Sequence, residues 1–421
     1  MKRGFYIVMA AQFLSSLADN ALLIAAIALL RDIDAPEWMT PMLKLFFFVS
    51  YVVLAAFVAA FADSMPKGRV MFVTNTIKVA GCALMFLSVH PLLAYAVVGF
   101  GAAAYSPAKY GILTELLPPE KLVVANGWIE GTTVGSIILG TVLGGALISP
   151  RVSAALLAVE VPVFDIGIDT PAEAAILIIA VFYGVAALFN LRIPDTGARY
   201  PRQERNPVRL LADFAHCFAT LWRDKLGQIS LAVTTMFWGA GATLQFIVLR
   251  WAEVQLGIPL SGAAVLQGVV AIGIAIGAVL AARYVPLRST PRVLPMGVAM
   301  GLIVPLMSLV HQVGWAYPLL VVVGGLAGFF VVPMNALLQH RGHVLMSAGH
   351  SIAVQNFNEN LMILVMLAVY AALIRADLHV NVVIWLFGAF IALSMIAVIR
   401  LHRANQRRFD SVALIGQARP N

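Results

Sequence analysis

Charged residues are scarce in this chain of 421 residues. Asp, Glu, Lys and Arg together make up 11% of it, whereas 61% is hydrophobic and the mean hydropathy is +0.91. An ordinary soluble domain carries about a quarter of its residues as charges. The composition therefore excludes a soluble fold and predicts a membrane protein.

Other absences narrow the possible functions. There are only two cysteines, Cys82 and Cys217, and neither position suggests a disulfide or a metal site. No Gly-x-x-x-x-Gly-Lys-Ser/Thr string is present, so ATP hydrolysis through a P-loop is not expected. None of the eight histidines opens the His-x-x-x-x-Asp pattern of glycerolipid acyltransferases. The loose spacing of His340, His343 and His350 makes a metal site improbable. The sequence thus predicts neither an enzyme nor a bound cofactor.

Long apolar runs recur from Phe5 to the region of Arg400, and polar or Pro/Gly punctuation divides them into about twelve segments of spanning length. The predicted fold is an all-α membrane protein with twelve transmembrane helices. The predicted spans are 5–30, 43–62, 70–89, 91–115, 123–149, 173–191, 227–250, 260–282, 293–311, 315–338, 344–374 and 379–400. No cleavable signal peptide precedes the first span, so that helix is expected to remain in the mature protein.

Lys and Arg cluster in alternate connections, which predicts that those connections are cytoplasmic. The basic connections contain Lys2, Arg3, Lys67, Arg69, Lys121, the stretch from Arg192 to Lys225, Arg283, Arg288, Arg292, Arg341, Arg400, Arg403, Arg407 and Arg408. The intervening connections are poor in basic residues and often acidic: the first contains Asp32, Asp34 and Glu37, and the third contains Glu160, Asp165 and Asp169. Both termini should therefore be cytoplasmic. Because this topology explains the net charge of +8, the charge does not indicate binding to nucleic acid.

The longest polar segment divides the spans six and six. The predicted organisation is an N-terminal bundle over 1–191, a cytoplasmic linker over 192–226, a C-terminal bundle over 227–401 and a cytoplasmic tail over 402–421. A weak internal likeness supports two related halves, because Pro107-Ala108-Lys109 in the fourth span has a counterpart in Pro333-Met334-Asn335 in the tenth. Two similar halves around a site near the bilayer midplane are typical of secondary transporters.

The first polar candidates lie deep in the predicted spans. Lys109 sits among small apolar residues, and an ammonium at membrane depth usually faces a polar cavity or a bound partner. It can contact an anionic phosphate, or it can pair internally with Asp19. Asp19 and Asn20, in the first span, are candidates for binding a substrate ammonium or a coupling ion, the alternative being a buried interhelical ion pair. Tyr105 is either a ligand or a packing residue.

Three further spans carry polar candidates. Asn126 and Glu130 are one helical turn apart near the predicted cytoplasmic surface, where a gate or loop contact is at least as plausible as substrate binding. Gln245 is the better pocket candidate of the seventh span on depth, while Arg250 and Trp251 at its end are typical of interface anchors. In the eleventh span a stripe that includes Asn356 and Glu359 is expected to line a cavity, the alternative being structural bonding between helices.

Several strings resemble known transporters. Asp63 to Arg69 resembles the short acidic-then-basic loop after the second helix of the major facilitator superfamily, which implies a gating role for Asp63, Lys67 and Arg69. The Tyr-Ser-Pro-Ala-Lys-Tyr-Gly string at 105–111, together with 12–23, 121–127 and 237–244, is similar to the bacterial lysophospholipid transporter family over essentially the whole chain.

That resemblance implies a multi-pass protein of the bacterial inner membrane. It implies transport of lysophospholipids, chiefly lysophosphatidylethanolamine, from the outer to the inner leaflet. It also implies functional coupling to an acyltransferase and acyl-carrier-protein synthetase on the cytoplasmic side. It further implies a basic residue of the seventh helix in the site, for which Arg250 is the candidate in this chain. Sodium or a proton is the possible coupling ion.

Two rival functions remain at this point. A proton-coupled exporter of amphipathic cations would use the same acids without needing Lys109. A membrane-bound acyltransferase or its scaffold subunit would consume lysolipid without translocation.

Overall fold

A computed structural model describes residues 3–36, 39–157, 170–200, 203–204, 206–258, 260–408 and 410–415. All regular elements in these ranges are helices. Seven charges used to orient the chain lie outside the described residues: Lys2, Glu37, Glu160, Asp165, Asp169 and, within the stretch from Arg192 to Lys225, Arg202 and Arg205. The cytoplasmic placement of both termini stays a prediction.

The chain forms two compact units. Unit 1 comprises Met1–Leu116 and Gly135–Phe214. Its helices are α1 (Arg3–Asp32), α2 (Met39–Val53), α3 (Ala55–Asp63), α4 (Lys67–Phe86), α5 (Pro91–Leu116), the second half of α6 (Leu122–Leu147), α7 (Pro150–Leu157) and α8 (Pro171–Leu191). Helix α8 packs on α1 and α4, and α4 packs on α5. Small residues of α1 such as Ala18, Ala21 and Ala25 are fully buried in the core of this unit.

Unit 2 comprises Leu117–Val134 and Ala215–Asn421, so the first half of α6 belongs to it. The remaining helices are α9 (Pro207–Arg223), which is divided at Phe214, α10 (Gly227–Val254), α11 (Leu260–Tyr284), α12 (Leu294–Ile303), α13 (Val313–Leu345), α14 (Ala348–Arg375) and α15 (Val380–Arg408). Helix α11 packs on α13, α10 packs on α14, and α12 packs on α15. The division of α6 differs from the predicted boundary between two sequential bundles, which stays a prediction.

Local sequence signals account for several helix ends. Thr170 caps α8 by accepting a hydrogen bond from the Glu173 backbone, and the Glu173 side chain accepts one from the Thr170 backbone in return. Pro171 occupies the first turn, where its missing N–H costs nothing. Ser347 caps α14 by accepting from the backbone N–H of His350.

Eleven helices in the described part of the chain are long and apolar enough to span a membrane, and the number is twelve if one bent pair counts as a single span. The predicted all-α class is therefore confirmed. The bent pair is α2 and α3, where the sequence predicts one span over 43–62 and the structure bends by 65° at Leu54. Nothing in the residues beside Leu54 explains the bend.

The ninth predicted span is also interrupted. Short 3-10 segments, Leu287–Val293 and Val304–Leu309, flank α12 instead of one continuous helix. Pro305 has no backbone N–H, so it cannot donate to the carbonyl one turn earlier, and the helix tightens at that point.

The tenth helix is longer than predicted, and one inference from it was wrong. The sequence predicts a basic connection at Arg341, but α13 continues to Leu345 and buries this residue within the helix. Its Nη2 donates to Asp224 at 2.7 Å and its Nε at 3.1 Å, while Asp224 also accepts from the backbone N–H of Gly227 at the start of α10. The arginine satisfies a carboxylate next to a helix start instead of marking a loop.

Candidate functional site

A polar cluster lies at the middle of α1 in unit 1 and is called the Asp19 cluster. It consists of Asp19 and Ser15 from α1, Asn75 and Lys78 from α4, and Tyr183 from α8. The Lys78 ammonium donates to both carboxylate oxygens of Asp19 at 2.8 Å and to Ser15 at 3.0 Å. The Tyr183 hydroxyl donates to Asp19 at 2.7 Å, and Ser15 donates to Asn75 at 2.7 Å. Two full charges at membrane depth are thus paired and hydrogen-bonded within one unit.

Aromatic rings complete the surroundings of Lys78. Its ammonium lies 5.2 Å from the ring centroid of Tyr105 and 5.3 Å from that of Tyr183. An ammonium over an aromatic face is attracted by the quadrupole of the neutral ring, whose face has a negative electrostatic potential. The candidate Tyr105 is therefore buried beside the Asp19 cluster and contacts its cation.

The structure gives Asp19 a partner other than the one considered from the sequence. The sequence allows Lys109 as an internal ion-pair partner for Asp19, but the lysine paired with Asp19 is Lys78. The half-buried Lys109 places its ammonium 4.4 Å from the ring of Tyr110. Asn20 donates to the Ser16 carbonyl of its own helix at 2.8 Å. A role of Lys109 and Asn20 in substrate binding stays a prediction.

The loop after α3 forms a second buried cluster in unit 1. Lys67 pairs with Asp63 and donates to the Ala62 carbonyl at 2.7 Å, and its ammonium lies 3.9 Å from Glu115. The side chains of Asp63, Lys67 and Glu115 are almost fully buried, whereas Arg69 is exposed.

A segment of the predicted linker docks on this loop cluster. Thr196 and Tyr200 donate their hydroxyls to Glu115 at 2.6 and 2.9 Å. Within the same segment, Asp195 and Arg199 form an exposed ion pair four residues apart. Hydrogen bonds from Arg199 and from the Gly197 backbone lower the pKa of Asp195 to about 2. The start of the linker thus docks on Glu115 at the end of α5, next to the loop that the resemblance assigns to gating.

In unit 2 the first half of α6 is joined to α13. The side-chain amides of Asn126 and Gln339 bond each other in both directions, at 2.9 and 2.8 Å, and both residues are almost fully buried. One turn further along α6, Glu130 accepts from Asn335 at 3.4 Å. A reciprocal amide pair satisfies both side chains without charge, which suits a contact in a low-dielectric interior.

The same network continues into α14. The Gln355 amide donates to Asn335 at 3.0 Å and to Glu359 at 2.7 Å. Two predicted site residues, Glu130 and Glu359, are therefore linked through two amides. Asn356 is buried on the same helix, and its backbone carbonyl accepts from Asn360. The structure supports interhelical bonding by this polar stripe, and its role in lining a cavity stays a prediction.

The seventh-span candidates lie on α10. Gln245 exchanges hydrogen bonds with Gln267 of α11, at 2.9 Å between side chains and 2.8 Å to the Gln245 carbonyl. The Nε of Arg250 is buried and has no hydrogen-bond partner among the described residues. The prediction of Trp251 as an interface anchor was wrong, because Trp251 is fully buried and donates to the Met307 carbonyl at 2.9 Å.

Sequence reasoning missed Lys78, although the signal was present. The rule that drew attention to Lys109, an ionisable residue inside a predicted span, applies equally to Lys78 within 70–89. Its pairing with a carboxylate 59 positions earlier depends on how α1 and α4 pack, which the sequence does not specify. Glu115 and Tyr183 were missed for the same reason.

Comparison with protein families and curated relatives gives concordant results. The profile of the Major Facilitator Superfamily matches residues 8–367. A protein named lysophospholipid transporter LplT from Yersinia enterocolitica serotype O:8 is 42% identical over 381 residues, covering 90% of this chain and 89% of the relative. A protein of the same name from Escherichia coli O1:K1 is 42% identical over 396 residues, covering 94% and 95%.

Solved structures agree at the level of the fold. The transporter FucP in the outward conformation superposes with a TM-score of 0.70 at 14% identity, covering 95% of this chain and 98% of that one. A bacterial homologue of the iron transporter ferroportin, in an outward-facing state, gives a TM-score of 0.71 at 13% identity, covering 96% and 100%. At these identities the likeness shows the architecture alone.

Proposed function

Because this chain belongs to the major facilitator superfamily and, within it, to the lysophospholipid transporter family, we propose that it carries lysophospholipids, chiefly lysophosphatidylethanolamine, across the bacterial inner membrane. The direction is from the outer to the inner leaflet. The observation that carries the proposal is the Asp19 cluster, since paired charges in the middle of a spanning helix are costly and usually functional.

The headgroup of the substrate has the chemistry that these side chains can bind. A phosphodiester needs a cationic donor, and Lys109 supplies one from α5. An ethanolamine ammonium needs an acceptor, and Asp19 or Glu359 supplies a carboxylate.

The acyl chain has different needs. Roughly a dozen methylenes, each worth about 0.8 kcal/mol when removed from water, amount to about 10 kcal/mol. A single chain that stays in lipid while the headgroup crosses avoids that cost. A substrate with one chain suits this route better than one with two.

The transported lipid would be re-acylated by a separate acyltransferase and acyl-carrier-protein synthetase on the cytoplasmic side. The chain itself acts as a transporter and not as an enzyme in this proposal. Sodium or a proton drives the movement as coupling ion.

Reconstitution tests the proposal. Purified protein in liposomes should move lysophosphatidylethanolamine under an imposed sodium or proton gradient, and the two gradients identify the coupling ion. Lys109→Ala should lower that flux by about tenfold, equal to about 1.4 kcal/mol. Lys121→Ala removes an exposed lysine in the short 3-10 segment Pro119–Lys121 that precedes α6 and serves as the matched control.

One outcome would count against the proposed substrate, and another against the role of Lys109 alone. Flux of a lipophilic cation without any lysolipid movement would favour the cation exporter. Unchanged lysolipid flux in Lys109→Ala would remove the phosphate role of Lys109 while leaving the transport function intact.

A further inference from the structure

The proposed function assigns no role to Lys78, although it is one of the most completely enclosed ionisable side chains in the described part of the chain. Its side chain is 1% exposed. All three ammonium protons have acceptors, two on Asp19 and one on Ser15. Lys78 therefore has no donor left for a ligand while this arrangement persists.

The close packing of α5 against α4 accommodates the side chain of Lys78. A Cβ at Gly101 of α5 would lie 2.8 Å from the Cγ of Lys78 and 2.9 Å from the Thr74 carbonyl. Only glycine lets α5 approach α4 this closely without displacing the aliphatic stem of Lys78. The position of the ammonium beside Asp19 is thus set by packing as well as by charge.

Unlike the side chain of Lys78, the side chain of Asp19 is partly exposed. Its side chain is 21% exposed. It accepts three hydrogen bonds, two from Lys78 and one from Tyr183. A carboxylate offers about four acceptor positions, so about one remains for an incoming donor.

The charge of that carboxylate is already balanced. An incoming headgroup therefore meets an acceptor whose negative charge is offset by an ammonium 2.8 Å away. A neutral hydroxyl can use the remaining acceptor position as well as a charged ammonium can, because the ammonium's extra attraction to Asp19 is opposed by repulsion from Lys78.

Resting on the proposed function, we infer that Lys78 determines headgroup specificity: by neutralising Asp19 within the protein, it makes that carboxylate a hydrogen-bond acceptor for either a charged or an uncharged headgroup donor. The substrates it admits are lysophospholipids with ethanolamine or glycerol headgroups. Lys78 acts through Asp19 and is a positioning residue.

The test measures the ratio of lysophosphatidylethanolamine flux to lysophosphatidylglycerol flux in liposomes containing the full chain. For the unaltered protein the ratio should favour lysophosphatidylethanolamine by no more than about threefold, which is less than about 1 kcal/mol. Lys78→Met leaves an uncompensated carboxylate, so the ratio should shift by about tenfold toward ethanolamine. Asp19→Asn leaves an uncompensated ammonium, so the ratio should shift by about tenfold toward the anionic glycerol lipid.

A double variant and a second lysine make the test specific. Asp19→Asn with Lys78→Met leaves no unpaired charge in the cluster, and its ratio should return to within about threefold of the unaltered protein. Lys109→Met should lower both fluxes without changing their ratio, because both lipids carry the phosphate. If Lys78→Met does not fold, Asp19→Asn and the double variant carry the same comparison.

Opposite shifts in the two single variants would support the inference, since a purely structural role moves the ratio in neither direction. An unchanged ratio, or shifts of the same sign, would overturn it while leaving the transport function standing. Failure of the unaltered protein to move either lysolipid would overturn the proposed function and this inference with it.

Discussion

At the scale of single residues, the hydroxyl of Tyr183 can be separated from its ring. The hydroxyl donates to Asp19 at 2.7 Å, while the ring lies 5.3 Å from the Lys78 ammonium. Tyr183→Phe removes the first contact and keeps the second. A hydrogen bond to a charged group contributes about 1.5–3 kcal/mol, so lysolipid flux in liposomes should fall by about tenfold or more.

The matched control is Tyr95→Phe in the same unit. Tyr95 is buried and its ring packs 5.5 Å from that of Phe47. Its flux should stay near that of the unaltered protein. Equal losses in both variants would show that any buried tyrosine hydroxyl of unit 1 matters, and would contradict a specific role for the contact with Asp19.

A second residue-scale prediction concerns the stability of unit 2. Arg341→Met leaves Asp224 without its cation in a pair whose side chains are 4% and 10% exposed. Removing one partner of a buried ion pair costs about 3–5 kcal/mol. The apparent melting temperature in detergent should fall clearly, whereas Arg288→Met, at an exposed arginine, should leave it unchanged. An equal melting temperature for both variants would contradict the structural role of the pair.

The same scale shows where sequence reasoning is weakest. The sequence identifies ionisable residues in spans, including Asp19 and Glu359, because they stand out against apolar neighbours. It does not identify their partners. Lys78, Tyr183 and Asn335 come from other helices, and only the packing of those helices brings them together.

At the scale of elements, α11 and α13 approach each other through glycines. A Cβ at Gly277 of α11 would collide with the carbonyl of Gly325 in α13, and a Cβ at Gly328 of α13 would collide with that of Ile274. Small residues at such contacts let the backbones pack directly, which is how helices associate in membranes. This contact is therefore intolerant of added volume.

Gly277→Ala tests the contact within one helix. The added methyl group must displace backbone, and overpacking of this kind costs about 1–3 kcal/mol or more. The control is Gly268→Ala on the same helix, where a Cβ would meet nothing within 4 Å. The melting temperature should fall for Gly277→Ala and should hold or rise slightly for Gly268→Ala, because alanine favours helix over glycine. A similar melting temperature for the two variants would contradict the close approach of α11 and α13.

Helix existence was easier to predict than helix continuity. Apolar runs of spanning length locate the helices because each must cross about 30 Å of hydrocarbon. The interruption around α12 follows from Pro305, a signal that the sequence carries. The bend at Leu54 carries no such signal, and the continuation of α13 through Arg341 was obscured because a charged residue resembles loop sequence.

At the scale of the whole molecule, composition and hydropathy predict the class of fold, and long specific strings predict the family. Both predictions are confirmed. The division into compact units could not be predicted, because α6 is continuous in sequence while its two halves pack in different units. The periodicity of one helix gives no information on which neighbours each half contacts.

The central claim is that Asp19, at the middle of a spanning helix, is reached by the headgroup of a lysophospholipid. The most direct test is thiol labelling of Asp19→Cys in a background where Cys82 and Cys217 are replaced. Leu22→Cys, at a fully buried position one turn away, is the control. We predict that a membrane-impermeant thiol reagent labels position 19 but not position 22. We also predict that lysophosphatidylethanolamine slows the labelling of position 19, whereas phosphatidylethanolamine, which has two acyl chains, does not. Absence of labelling at position 19 under every gradient, or labelling indifferent to lysolipid, would contradict the account.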